Sequence, residues 1–391
     1  MRVIATLVPI LGITFIDILG FSILIPILPF YAQHFGASDT EIGVLFATFA
    51  ACQFVAGPIW GNVSDRIGRK GVLIVSQAGA TIGWTMLAFA PTLLWVFIAR
   101  MVEGFSGGNI GVTQAYVADR VPPSERARAF SYIGASFSAG LVLGPAAGGF
   151  LLGRFGYTLP FLLAAALQVV TLLLTVFFLP ESVAERGEKT SVPSLRDIPR
   201  CFADPRVSPV LVQKLSYSLG LFAWFSVFAL VLQKQLHFTA QSTSYTFAIF
   251  GLIGVALQLF AVGSVTDAVG NRAASNIGFA SMVAFFASIP FVHSLPSLLA
   301  TIVLFSIGLS LSNATIAALL SDAAPKGAQG TVLSVGDSMQ SISGIIMPAI
   351  ATSVLAYYGS LWTAAISFFF VSIALALGVA AQARRATEPA S

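Results

Sequence analysis

The sequence predicts an all-α membrane protein with twelve transmembrane helices arranged in two six-helix halves. Of its 391 residues, 57% are hydrophobic and only 9% are charged, whereas a soluble domain averages about 25% charged residues. Twelve apolar stretches are each long enough to cross the bilayer core, which takes roughly 20 helical residues. A polar segment at 181–208 separates the sixth stretch from the seventh, and short motifs recur on its two sides.

The apolar stretches follow one another with short polar turns between them. The first begins directly after Arg2; it is too long for a secretory signal and no small-residue cleavage site follows it, so it is predicted to be a membrane helix. Ser38 and Glu41 have the spacing of a capping box that would open the second span. The predicted spans are 4–32, 40–62, 71–90, 92–118, 125–153, 158–180, 209–234, 241–265, 273–293, 297–320, 328–356 and 361–382.

The basic residues predict the orientation and the domain division. With the N-terminus inside, seventeen basic residues lie on the cytoplasmic side, and only Arg154 and Lys234 lie near the other side. This bias is the positive-inside pattern, so both termini are expected in the cytoplasm of a cell-membrane protein. The predicted domains are a six-helix bundle at 1–180, a cytoplasmic linker at 181–208 with ten charged residues, and a second bundle at 209–391.

Two motifs repeat at nearly the same offset in the two halves. GNVSDRIGRK at 61–70 recurs as GSVTDAVGNR at 263–272, and ADRVPP at 118–123 recurs as SDAAPK at 321–326. Parallel repeats about an axis along the membrane normal are a transporter architecture, with the substrate site near the bilayer midplane between the repeats. The alternative is that the two loops are unrelated and resemble each other only because turns favour the same residue types.

The GNVSDRIGRK loop resembles the signature loop of the major facilitator superfamily. That resemblance implies the major facilitator fold, in which two pseudo-symmetric bundles alternate access to a central site. It also implies a latch that closes the cytoplasmic side in the outward-facing state, with Asp119 as the natural partner of Arg69. The alternative is a basic loop that only follows the topology. The predicted latch residues are Gly61, Asp65, Arg66, Gly68, Arg69, Lys70 and Asp119.

The stretch GLVLGPAAGG at 140–149 resembles the antiporter motif of the same superfamily. Glycines that recur every four residues leave a flat stripe on which another helix can pack closely, and a proline inside a helix bends it. In the family this motif accompanies efflux; ordinary small-residue packing is the alternative. The motif residues are Gly140, Gly144, Pro145, Gly148 and Gly149.

Four ionisable residues are predicted to lie at one depth near the bilayer midplane, counting about 1.5 Å of rise per helical residue. A charge at that depth costs several kcal/mol unless it is paired or hydrated, so a polar cavity is expected there. We predict that Arg100 holds Asp17 and that Asp17 takes up and releases protons, with Glu103 and Asp337 as rival or additional carriers. A static Asp–Arg strut is the alternative.

A narrower resemblance points to bacterial tetracycline/proton antiporters. It rests on the segment from ADRVPP to FLPES at 178–182. The stretch DILGFSILIPILP, which begins at Asp17, resembles the first-span motif of twelve-span drug/proton antiporters. Those antiporters carry an acid in span three, where this chain has Gly83 or Trp84, and span eight lacks a His and span nine an Asp. The resemblance therefore implies the drug/proton antiporter class, but the residues tied to tetracycline–metal recognition are missing.

These observations predict a proton-coupled efflux antiporter for small, mostly apolar compounds, working as a monomer in the lipid bilayer. No phosphate loop and no His/Cys cluster is present, so no cofactor, metal or nucleic acid is expected. An enzyme is not expected either, because no central His could complete a nucleophile–base set. The alternatives are uptake or exchange of a polar metabolite and a non-transporting receptor. Candidate cavity residues are Gln53, Asn109, Gln114, Trp224, Gln258, Asn313 and Gln340.

Overall fold

The computed structural model describes the chain as a set of long helices. It covers residues 2–107, 112–113, 116–117, 120–121, 126–181, 197–325 and 328–387, and this part contains no strand. The helices are α1 Arg2–His34, α2 Asp39–Ile67, α3 Arg69–Ala88, α4 Leu93–Ser106, α5 Arg126–Phe155, α6 Thr158–Phe178, α7 Asp197–Ala203, α8 Ser208–Leu236, α9 Ala240–Phe260, α10 Val262–Ser288, α11 Leu295–Ala323, α12 Gln329–Tyr358 and α13 Ser360–Thr387, with a 3₁₀ turn at Ile289–Phe291.

Among the described residues, ten helices are long and apolar enough to cross a membrane. The predicted fourth and fifth spans fall on α4 and on α5, whose Ala139–Phe155 part is a shorter apolar stretch. The predicted eighth span, 241–265, differs from the structure because α9 ends at Phe260 and α10 begins at Val262. The helix count agrees with a twelve-span protein.

Side chains and glycines explain several helix ends. The Thr92 side chain accepts a hydrogen bond from the Trp95 amide at the start of α4, and Ser294 with Ser297 forms a capping box that opens α11. Such caps satisfy amides that have no partner within the helix. Gly68 separates α2 from α3. Its φ of 99° is a backbone conformation that residues other than glycine rarely adopt.

The described residues form two compact units. Unit 1 comprises Met1–Ser38, Thr48–Val192 and Phe238–Gly251, and unit 2 comprises Asp39–Ala47, Pro193–His237 and Leu252–Ser391. In unit 1, α1 packs on α5 and α6, and α3 packs on α4 and α6. In unit 2, α8 packs on α12 and α13, and α10 packs on α11 and α13. The pattern of contacts is therefore the same in each unit: the first helix packs on the fifth and sixth, and the third packs on the fourth and sixth.

Candidate functional site

Asp17 lies midway along α1 and faces α6, where the side chains of Thr171 and Gln168 lie within hydrogen-bonding reach of its carboxyl group. Its Oδ1 is buried and accepts no hydrogen bond from the described residues. The predicted partner, Arg100, is engaged elsewhere: its guanidinium pairs with Glu103, one turn along the same helix. The prediction that Arg100 holds Asp17 is therefore wrong in this structure, because the Glu103 carboxylate on the same helix already pairs with the arginine.

Arg100 and Glu103 form a buried ion pair inside unit 1. Their residues are 1% and 4% exposed, and the Arg100 guanidinium lies 4.0 Å from the centre of the Phe49 ring on α2. A Cβ atom on Gly83 of α3 would lie 3.1 Å from the Glu103 Cβ atom. Gly83 thus leaves room for an acid that reaches in from α4.

Asp337 lies on α12 in unit 2, and its side chain is 75% exposed. Its carboxylate accepts a hydrogen bond from Nζ of Lys214 on α8 at 3.5 Å, and the lysine side chain is only 14% exposed. From the sequence, Lys214 is predicted only as one of the seventeen basic residues on the cytoplasmic side. Its position inside the predicted seventh span was the available signal for a more specific role.

The loop between α2 and α3 is organised by an acid that the sequence analysis assigned to the linker. The Glu181 carboxylate accepts the Arg69 amide at 2.9 Å and the Lys70 amide at 3.2 Å, so it caps α3. A Cβ atom on Gly68 would overlap this carboxylate. The Arg69 guanidinium donates to the Ser64 hydroxyl. The FLPES sequence after span six was the signal that could have identified Glu181.

The structure describes some of the other predicted latch residues and not the rest. Lys70 Nζ donates to the Val176 carbonyl oxygen at 2.7 Å, and Arg66 is exposed. Gly61 lies in the last part of α2, where a Cβ atom would meet nothing within 4 Å. The side chain of Asp65 and the whole of Asp119 lie outside the described residues, so the Asp119–Arg69 pair stays a prediction.

The antiporter-motif stripe packs directly against α1, the helix that carries Asp17. A Cβ atom on Gly140 would lie 2.9 Å from the Leu19 amide nitrogen, and one on Gly144 would overlap the Ser22 hydroxyl. The Ser22 hydroxyl also donates to the Gly140 carbonyl oxygen at 2.8 Å. Gly148 continues the same contact, whereas Gly149 faces α9. Pro145 lies inside α5, in the same stretch.

The candidate cavity residues are scattered. Gln53 donates to the Gly107 carbonyl oxygen at 3.1 Å, and Asn313 accepts from the Tyr217 hydroxyl at 3.0 Å. Trp224 does not face an open surface: it is fully buried in an aromatic core of unit 2, where its ring contacts those of Phe228, Phe285 and Phe286. Gln258 and Gln340 are exposed, and Asn109 and Gln114 lie outside the described residues.

A groove of about 460 Å³ lies elsewhere in unit 1, on α3, α4 and the turn between them. It is lined by Thr81, Ile82, Thr85, Met86, Phe89, Pro91 and Trp95. None of the predicted site residues lines it, so we place the candidate site at the buried ionisable groups and not at this groove.

The helices are long enough to cross a membrane, and the two units share one pattern of helix contacts. Acidic groups are buried among these helices. These features define a multi-pass membrane protein of the secondary-transporter class. The sequence profile of the family described as Major Facilitator Superfamily matches residues 10–231 and 215–391. The chain belongs to the Major Facilitator Superfamily, and the predicted fold is confirmed. Members of this family are transporters, so the protein is not an enzyme.

Similar proteins of known name indicate which kind of transporter this is. The chain is 30% identical over 370 residues to the class C tetracycline resistance protein of Escherichia coli, covering 91% of each. It is 28% identical over 385 residues to multidrug resistance protein 1 of Bacillus subtilis (strain 168), covering 96% of this chain and 95% of that protein. The predicted drug-efflux class is confirmed, and uptake of a polar metabolite is not favoured.

Solved structures agree on the fold. The crystal structure of the human organic anion transporter MFSD10 (TETRAN) superposes with a TM-score of 0.75 at 20% identity, covering 97% of this chain and all of that one. At this level of identity the likeness concerns the arrangement of helices alone.

Proposed function

We propose that this protein exports small, mostly apolar drug-like compounds in exchange for protons, and that Asp17 is the principal proton carrier. It would act as a monomer in the cell membrane, with both termini in the cytoplasm. The observation that carries this proposal is the Asp17 carboxyl group, held on one side by α6 and left without a donor at the buried Oδ1.

The surroundings of Asp17 suit a residue that changes its charge. A buried carboxylate oxygen without a donor is costly while it is charged, so a proton arriving there would remove that cost. The same helix packs on the glycine stripe of α5 through Ser22 and Leu19. A change in the protonation of Asp17 would thus occur beside a seam at which two helices can slide closely past each other.

The Arg100–Glu103 pair provides a second proton site in the same unit. Removing the charge of one partner in a buried ion pair leaves the other without compensation, at a cost of roughly 3–5 kcal/mol. Protonation of Glu103 would release the Arg100 guanidinium from its present partner and make it available to another anion. Asp337, which pairs with Lys214, is a candidate for a corresponding role in unit 2.

The substrate class follows from the relatives and from the residues that are missing. The relatives include proteins named for tetracycline resistance and for multidrug resistance. This chain has Gly83 or Trp84 where the tetracycline/proton antiporters that it resembles carry a span-three acid, so we propose a lipophilic substrate without a bound metal ion. The charged loop at Arg69 and Lys70 would lie in the cytoplasm and close that side, with Asp119 as the partner still to be tested.

The test uses purified protein in proteoliposomes that hold a pH-sensitive dye. A panel of lipophilic cations, antibiotics and sugars is added, and substrate-driven proton movement is recorded for the wild type, Asp17→Asn and Asp204→Asn. Asp204 lies in a turn outside the membrane helices, so its variant controls for the loss of an acid. Asp17→Asn is expected to abolish coupled transport while the control retains it. Proton-driven accumulation of substrate by Asp17→Asn would mean that another residue carries the proton.

A further inference from the structure

We propose that Thr171 and Gln168 of α6 form a hydrogen-bond switch that positions Asp17 in both its charged and its protonated form, and so tunes the pH at which it loads. This inference rests on the proposed role of Asp17. Both are positioning residues: they act through the carboxyl group and not on the substrate.

The two side chains are polar groups buried in a largely apolar helix. Thr171 is fully buried and Gln168 is 7% exposed, and both side chains lie within hydrogen-bonding reach of the Asp17 carboxyl group. They are also linked to each other, because the Thr171 hydroxyl lies 2.9 Å from the Gln168 carbonyl oxygen and 3.1 Å from its Oε1. Burying such polar groups is unfavourable unless they are hydrogen-bonded, so this arrangement needs a reason beyond packing.

A count of donors and acceptors gives that reason. A threonine hydroxyl has one proton to donate, and a glutamine amide has both donors and an acceptor. When Asp17 is charged, the Thr171 hydroxyl and the Gln168 amide can both donate to it. When Asp17 is protonated, it can donate to Gln168 Oε1, and the Thr171 hydroxyl turns to the main-chain carbonyl oxygen. Both protonation states are satisfied by rotating side chains, without moving a helix.

Helices α6, α5 and α2 carry no charged side chain in the middle of their length. Helix α6 has no ionisable side chain, and α5 has none between Tyr132 and Arg154. Helix α2 contacts α1 through the stacked rings of Phe21 and Phe49. Its charged residues lie in its terminal turns, at Asp39, Glu41, Asp65 and Arg66. Among the described side chains, those of Thr171 and Gln168 are the polar groups that lie within hydrogen-bonding reach of the Asp17 carboxyl group.

The chain offers a matched control one turn further along α6. Thr175 is also fully buried, and its hydroxyl oxygen has no hydrogen-bond partner among the described residues. Thr171→Val and Thr175→Val therefore make the same chemical change on the same helix, but only the first touches Asp17. Thr171→Ser restores the hydroxyl, and Gln168→Met removes the amide while keeping the length of the side chain.

The experiment measures substrate-driven proton flux in proteoliposomes over a series of pH values. Hydrogen-bond donors favour the charged form of a carboxyl group, and a hydrogen bond to a charged acceptor is roughly twice as strong as one between neutral groups. Each of Thr171→Val and Gln168→Met therefore removes more stabilisation from the charged form than from the protonated form, and both are expected to move the midpoint to higher pH. The expected shift is about one pH unit, a tenfold change in proton affinity. Thr175→Val and Thr171→Ser are expected to keep the wild-type midpoint.

The outcomes separate this inference from the proposed function. If Asp17→Asn abolishes coupling but Thr171→Val and Gln168→Met keep the wild-type midpoint, the switch is wrong and the carrier stands. If Asp17→Asn still couples transport to protons, the proposed function fails first. Should Thr171→Val not yield folded protein, Gln168→Met decides, because a wild-type midpoint in that variant alone overturns the switch.

Discussion

Gly68 and Gly270 adopt the same backbone conformation, with φ of 99° and ψ of 155° at Gly68 and φ of 79° and ψ of 161° at Gly270. They occupy equivalent positions in the two copies of the repeated loop motif, and this region of the backbone map is essentially restricted to glycine. Their surroundings differ, however. A Cβ atom on Gly68 would overlap the Glu181 carboxylate, whereas one on Gly270 would meet nothing within 4 Å.

We expect Gly68→Ala to destabilise the protein more than Gly270→Ala. Both pay the backbone strain of roughly 1–3 kcal/mol, but Gly68→Ala also displaces Glu181 from two amides, each hydrogen bond being worth about 1 kcal/mol. Thermal unfolding of the purified variants in detergent gives the comparison. Equal losses of stability would show that the Glu181 cap on α3 contributes nothing.

We expect Gly144→Ala to impair both stability and transport. The added methyl group would overlap the Ser22 hydroxyl and crowd the Leu19 carbonyl oxygen, so α1 and α5 must separate, and overpacking of this kind typically costs about 1–3 kcal/mol. Gly57→Ala in α2 is the control, because a Cβ atom there meets nothing within 4 Å and alanine favours helix. A Gly144→Ala protein that unfolds and transports like the control would contradict a close α1–α5 seam.

We expect the single variants Arg100→Leu and Glu103→Leu each to lose more stability than the double variant. Each single variant leaves one buried charge without its partner, at roughly 3–5 kcal/mol, and the double variant removes that penalty. Unfolding of all four proteins, wild type included, measures the coupling between the two sites. Additive losses would show that the two charges are not paired in the protein. Coupled transport by the double variant would also remove Glu103 from the list of proton carriers.

The ion pair between Asp39 and Lys234 in unit 2 yields a prediction at the helix ends. The lysine side chain is 42% exposed and the aspartate side chain 12%, so neutralisation by Lys234→Met should cost about 1 kcal/mol or less. Lys234→Glu should cost more, because it sets two acids side by side. Lys234→Arg keeps the charge and serves as the control, with thermal unfolding at low and high salt as the measurement. A Lys234→Glu protein as stable as Lys234→Arg at low salt would mean that the pair does not form.

Much of the fold could be predicted from the sequence because the evidence for it is local. An apolar stretch that is long enough to cross the bilayer can be recognised without knowing what it packs against. The repeated loop motifs can likewise be recognised from their fixed offset in the sequence. The same holds for Asp17, whose isolation in an apolar helix marks it before any contact is known. The glycines of the antiporter motif likewise predict a close contact between helices, although they do not identify the neighbouring helix.

The partners of the site residues could not be predicted in the same way. Depth arithmetic placed Arg100 near the level of Asp17, but height along a helix does not say which way a side chain points. Rotation about the helix axis decides that, and packing of whole helices sets the rotation. For the same reason Trp224 was assigned to a cavity although it fills an aromatic core, and Glu181 was assigned to a linker although it caps a helix.

The sequence by itself thus determined that this is a membrane protein of repeated helical halves with an acid at the centre of its first helix. Only the tertiary structure decided that α6 supplies the groups around that acid, that α5 lies against its helix, and that Arg100 is already neutralised by Glu103. The physical reason is that hydropathy and spacing act along the chain, whereas hydrogen bonds, ion pairs and van der Waals contacts depend on which faces of distant helices meet.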